Sequence, residues 1–400
     1  MQVECPEFKK ENNIWNWYIY TPGQLKFLAD FVNNGNSLTD AENGIDLTSY
    51  VPADTEVTMT EETTIYLMNN IDLGAKWNQD GNLTEGQNWI PIGIDVNNVS
   101  GKLGTFEGNN YTITGVYVNR ESNFAGLFGF SNGIQNLTLE KSYIQGNMFV
   151  GGITGYSMGK ILSNCTNTGT VIGMSQGVGG IAGYSLGTIS NCNNSGKIEG
   201  KSNYVGGIAG YSTGELNKCN NSGKIEGKSY YIGGIVGYLT GTKTIEACKN
   251  TGEVGGDADV GGISGLTNGT ITNCENRGNI NGGNNRRIGG IVGYSTYGET
   301  NLCVNTGKVS GNSDRVGGIA GDIWKGKINK CKNSGEVYST GVFVGGVIGH
   351  IETEDIFIPN TVNFCYNTGD VNQNNDRNVK PGGILGRFAR RRWSRNFKLL

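Results

Sequence analysis

The chain has 400 residues, of which 67 are glycine and only six proline, and its formal net charge is −3. That much glycine, with no strict Gly-X-Y period and little proline, excludes collagen and lies far from a globular average. The weak charge gives no long-range attraction toward nucleic acid or an anionic membrane.

Residues 1–20 form a lead-in carrying Trp15, Trp17, Tyr18 and Tyr20, read as an aromatic patch packed on the first coils. The apolar core of a signal peptide is absent from MQVECPEFKKENN, and no later apolar run reaches transmembrane length. Then comes TPGQLKFLADFVNNG, the one convincing helix. Thr21 is its N-cap, Pro22 sits where proline is tolerated, Gln24 completes a capping box, and Gly35 can end it. Leu25, Leu28, Phe31 and Val32 make the apolar stripe. Residues 1–35 are therefore assigned as lead-in and capping helix, the element that closes the open end of a repeat core.

Residues 36–124 hold short apolar segments (TTIYLMNNIDL, NWIPIG, GTFEGNNYTITGVYV) between Asn/Asp/Gly turns, read as irregular first coils. From Ala125 a repeat takes over and runs to residue 386. Its paired glycines stand at 151/152, 179/180, 206/207, 233/234, 261/262, 289/290, 317/318 and 345/346, spaced 27 or 28 residues apart. A weaker copy, Gly382-Gly383, follows after 37. A fixed period of this size marks a solenoid. Apolar residues recur before each glycine pair (Val150, Val178, Val205), after it (Ile153, Ile181, Ile208), three before a cysteine (Leu162, Ile189, Leu216), at the cysteine, and two after an Asn-x-Gly (Val171, Ile198, Ile225). Apolar pairs separated by Gly or Asn describe short strands with bends between them. The expected fold is all-β, a parallel, right-handed β-helix with an N-terminal α-helical cap, its rungs about 4.8 Å apart.

The residues AGLFG at 125–129, the VGGIAGY units, the recurring Asn-Cys-x-Asn-x-Gly, and upstream NNIDL, WIPIG and GTFEGNNYTITG carry a family likeness. Across about residues 15–386 the sequence resembles the GLUG-motif repeat proteins, including the non-catalytic N-terminal region of bacterial IgA1-specific metallopeptidases. The resemblance implies a stalk or adhesive module on a bacterial cell surface or secreted protein.

Two columns read as structural. Cys165, Cys192, Cys219, Cys248, Cys274, Cys303, Cys331 and Cys365 recur once per coil, with Cys5 left over. Their spacing is no zinc pattern, and on stacked rungs their Cβ vectors run parallel, so they are read as buried, unbridged thiols. On that reading Cys219→Ser buries a hydroxyl without an assured partner and destabilises. Asn167, Asn194, Asn221, Asn250, Asn276, Asn305, Asn333 and Asn367 read as an amide ladder, each followed by x-Gly with a positive φ at the glycine. The column Tyr156, Tyr184, Tyr211, Tyr238 and Tyr294 leaves two readings open. It is a stacking ladder, or it is a platform for sugar rings or a partner's apolar surface.

Chemistry-bearing constellations are thin. His350 is the sole histidine, so HExxH is impossible, and no GxSxG occurs. Neither a catalytic residue, a metal site nor a cofactor is assigned. The preferred reading is a non-catalytic rod with a glycan or protein partner. One alternative is a polysaccharide lyase or hydrolase using Asp257 with Asp259, or Glu352, Glu354 and Asp355. Another is the substrate-positioning region of a larger metallopeptidase. From residue 380 on, Lys380, Arg387, Arg390, Arg391, Arg392, Arg395 and Lys398 face no acid. The stretch 387–400 is expected to be a disordered or truncated basic tail, with further repeats or domains beyond it.

Overall fold

A computed structural model describes residues 1–40, 45–99, 101–283, 286–353, 360–373 and 383–390. Glu354, Asp355 and the tail from residue 391 onward lie outside the described residues.

The β-branched and cysteine registers turn inward because glycine and asparagine bend the chain between them. One coil shows the whole scheme: Val178–Gly179, Ala182–Ser185, Ile189–Ser190, Asn193–Asn194 and Ile198–Gly200 are its five strands. Successive coils stack these into five walls, numbered one to five in that order, of 8, 10, 13, 11 and 10 strands. Rung pairs are parallel and in register, for example Val178↔Val205, Tyr184↔Tyr211 and Ile189↔Leu216. The result is a parallel β-solenoid of about nine turns. One apolar core runs continuously from Trp17 to Val362.

The helix, α1 (Pro22–Asn33), begins as its sequence dictates: the Thr21 side chain accepts from the Gln24 N–H, and the Gln24 carbonyl oxygen accepts from the Tyr20 N–H at 2.6 Å. It ends in a Schellman turn, with Gly35 at φ 71° and the Asn36 N–H on the Phe31 carbonyl. Phe27 and Phe31 pack on Trp17 of the first rung, at 6.2 and 5.0 Å between ring centroids. The helix thus fills the N-terminal end of the core. Beside it, Glu7–Glu11 pairs antiparallel with Ile14–Ile19, and its charged EFKKE sequence blunts the outer edge of wall three. A hairpin, Lys76–Trp77 with Leu83–Glu85, lies outside the walls and sets Trp77 against Tyr117 and Tyr143.

One expectation is corrected. The glycine of Asn-x-Gly does not adopt a positive φ; the left-handed corner of each coil is the residue before the cysteine, Asn164, Asn191, Lys218, Ala247, Asn273, Leu302, Lys330 and Phe364. The Asn-x-Gly glycine is there for space instead. A Cβ on Gly196 would lie 1.8 Å from the Gly169 carbonyl oxygen on the rung below. The second glycine of each pair makes room for the amide ladder: a Cβ on Gly207 would lie 2.5 Å from Cγ of Asn221.

Candidate functional site

Wall two carries the tyrosine column. Phe130, Tyr156, Tyr184, Tyr211, Tyr238, Leu266, Tyr294, Asp322, His350 and Arg387 occupy one register on ten successive rungs. The five expected tyrosines are brought together, each half-buried on the outside of the wall. A second column stands beside it, at the residue entering wall one: Phe124, Phe149, Gly177, Tyr204, Tyr231, Asp259, Arg287, Arg315 and Phe343. In this column Phe124, Phe149, Tyr204, Tyr231 and Asp259 have φ between 51° and 66°. Bulky residues in that region cost roughly 1–3 kcal/mol each, and such strain clusters at functional surfaces.

Together the two columns form a strip with two halves. The lower half is aromatic. Tyr156 and Tyr184 stack at 4.7 Å and 1° between planes, and Tyr184 and Tyr211 at 4.7 Å and 13°. Tyr204 and Tyr231 stack at 5.6 Å in the neighbouring column, and Phe149 leans edge-on against Tyr184 at 5.2 Å. Ring faces in the stack are therefore covered by one another, and the strip presents edges and hydroxyls. Burial, reinforced by Tyr211 and Tyr156, pushes the Tyr184 hydroxyl up to about 12.

The upper half is an ion-pair network. Arg287 reaches Asp259 at 3.3 Å and Asp322 at 3.2 Å while lying 3.5 Å over the Tyr294 ring. Arg315 meets the same Asp322 oxygen at 2.6 Å, and His350 Nδ1 lies 2.8 Å from the other. Asp259 and Asp322 are 0 % and 1 % exposed. Burial pushes the Asp259 carboxyl upward, opposed by Arg287 and Arg286, and its Oδ2 has no hydrogen-bond partner. Asp322, His350 and Glu352 bring possible ligand atoms within 4.8 Å of one another. Both Asp322 oxygens are already engaged, however, and a divalent cation there would sit beside two guanidinium groups.

Carboxylates considered for polysaccharide cleavage do not converge. Asp259 points inward to Arg287, whereas Asp257 is exposed on the outer surface. The two structural columns do form. Asn167 Nδ2 donates to Asn194 Oδ1 at 2.9 Å, and the bond repeats through Asn221, Asn250, Asn276, Asn305 and Asn333 to Asn367 at 2.7–2.9 Å. All nine cysteines are free thiols; seven of the column are buried and Cys365 is half-buried. Burial holds the Cys192 and Cys303 thiols well above their ordinary value.

Each column Sγ also sits 3.1–3.4 Å from the carbonyl two residues before it and 3.4–3.7 Å from a wall-three carbonyl of the rung below. A serine at Cys219 would thus find acceptors in Asn217 and Ile189, which corrects the expectation that its hydroxyl lacks a partner.

Sequence reasoning missed the column of Tyr204, Tyr231, Asp259, Arg287 and Arg315. Its residue types change from coil to coil, and only its fixed place before the Val-Gly-Gly register could have revealed it.

Against known proteins, the chain aligns at 14% identity with the crystal structure of a provisionally named immunoglobulin A1 protease from Bacteroides ovatus, covering 90% of this chain and 83% of that one, with a TM-score of 0.32. Halomucin of Haloquadratum walsbyi is 35% identical over 150 residues, 36% of this chain and 2% of the relative. A provisionally named Gly-rich membrane protein of Evansella cellulosilytica is 37% identical over 102 residues, 24% of this chain and 11% of the relative. The chain thus spans only a small part of the length of the curated relatives it matches. Residues 174–199 match the GLUG motif family, and that segment coincides with one coil of the solenoid: the chain carries the GLUG motif and resembles GLUG-repeat proteins.

Proposed function

We propose that this chain is a non-catalytic structural and adhesive module of a bacterial surface or secreted protein, a rigid rod whose two-column strip contacts a protein partner. The observation that carries the reading is the strip itself. Five of its residues hold a costly backbone conformation to stand beside the tyrosines, on a scaffold whose core needs none of them. Tyrosine and arginine are the residue types that dominate protein interfaces. A sugar ring needs an open aromatic face to stack on, and the rings at Tyr156, Tyr184 and Tyr211 cover one another. That favours a protein over a glycan. The matched relatives support the setting: one is named for a membrane, and both are far longer than the part this chain matches.

The test sets a glycan array and a polysaccharide-release assay beside binding to a panel of purified extracellular proteins. Saturable protein binding that is lost when Tyr184, Tyr211 and Tyr238 are replaced together by Ser supports the proposal. Saturable glycan binding would move the partner to carbohydrate, and product release would overturn the non-catalytic reading.

A further inference from the structure

We infer that the partner of the strip is a second copy of this chain, docked antiparallel so that the aromatic half of each copy meets the arginine half of the other. The inference rests on the strip being a contact face, as proposed above.

Period is the first argument. Rings in the strip repeat at 4.7–5.1 Å along the rod. A peptide in extended form repeats its same-side residues at about 6.7 Å, so it drifts out of step within a few rungs. A second solenoid repeats at the same spacing and stays in step along the whole strip.

Charge and ring chemistry supply the direction. The ten rungs from Phe130 to Arg387 divide evenly, with aromatic residues on the first five and charged residues concentrated on the last five. A two-fold axis between the Tyr238 and Leu266 rungs sets Arg387 opposite Phe130, Arg315 opposite the Tyr184 rung and Arg287 opposite the Tyr211 rung. Parallel docking would set arginine against arginine. The chain already shows the chosen pairing within itself. Arg286 lies 4.7 Å over Tyr230 and Arg387 lies 4.6 Å over Phe343, both arginines exposed and neither in an ion pair among the described residues. Each has guanidinium edges left for a ring or hydroxyl of another copy. Such an interface is isologous, which is how a single chain closes a dimer without growing into a fibre. The strip is long but narrow, and the expected dimer is reversible.

Sedimentation equilibrium over a hundredfold range of protein concentration tests it. The chain is expected to dimerise, and Arg286→Glu with Arg387→Glu to weaken that dimer at least tenfold while leaving circular dichroism melts unchanged. A photo-crosslinking benzoylphenylalanine in place of Tyr211 is expected to capture peptides spanning residues 286–297 of the other copy. Crosslinks to the Tyr204–Tyr211 region instead would show parallel docking and overturn the inference. A monomer at every concentration, or a dimer indifferent to the arginine pair, would also overturn it. If self-association fails while the triple tyrosine variant still loses binding to another protein, only the identity of the partner falls; if neither readout responds to the strip, the contact face falls with it.

Discussion

At the scale of single residues, the load falls on buried polar groups whose partners are arranged rung by rung. Asn221 accepts from Asn194 and donates to Asn250 and to the Gly223 carbonyl, all inside the core. Asn221→Ala removes these bonds and strands the Asn194 amide hydrogen and the Asn250 oxygen, and is expected to cost about 3 kcal/mol in denaturant melts. The opposite case is Thr300. It stands in the wall-three register held elsewhere by Ile271 and Ile328, fully buried, with a hydroxyl that has no hydrogen-bond partner. Thr300→Val should stabilise by about 1 kcal/mol in the same melts, because it removes an unsatisfied hydroxyl and keeps the branched shape. Both residues were visible in the sequence as members of columns. That the one is fully bonded and the other orphaned was not, because a register fixes where a side chain points and leaves open which atoms it meets.

At the scale of the strand and corner, glycine acts by absence. Gly207→Ala would drive a Cβ to 2.2 Å from the Gly234 carbonyl oxygen and into the Asn221 amide, whereas the nearest atom to a Cβ on Gly255 is 3.8 Å away. The first substitution is expected to destabilise by at least about 3 kcal/mol, and the second to leave the melting temperature nearly unchanged. Periodicity marked the glycine pairs as important, and only the packing gives the reason. The tyrosine column has its own signature in alkali. Tyr184 in the folded chain holds its proton up to about 12, against roughly 10 for an unfolded tyrosine. The folded state therefore binds that proton more tightly, so this contribution to stability is whole below about pH 10 and declines as pH rises toward 12. Denaturation midpoints should fall across that window, and Tyr184→Phe should flatten the decline.

At the scale of the whole molecule, stability is a sum over neighbouring coils. That is why the fold was so legible: any register that recurs every 27 or 28 residues must stack on itself, and the Val178, Ile189, Cys192 and Ile198 registers all did. The strip was legible only by half. Tyr156, Tyr184 and Tyr211 recur and declare themselves, while Tyr204, Asp259 and Arg287 share a position without sharing a chemistry. The in-register stacking of residues 178–204 on 205–231 carries one more consequence. The rod is graduated like a ruler, one mark per coil, and its reach can change only by whole marks. In-frame duplication of residues 178–204 should yield a folded chain about 4.8 Å longer by small-angle scattering, no less stable to heat than its parent. Insertion of half that segment would set glycine corners against valine walls and abolish the cooperative melt. A copying slip of one full unit lengthens such a rod and leaves its architecture intact.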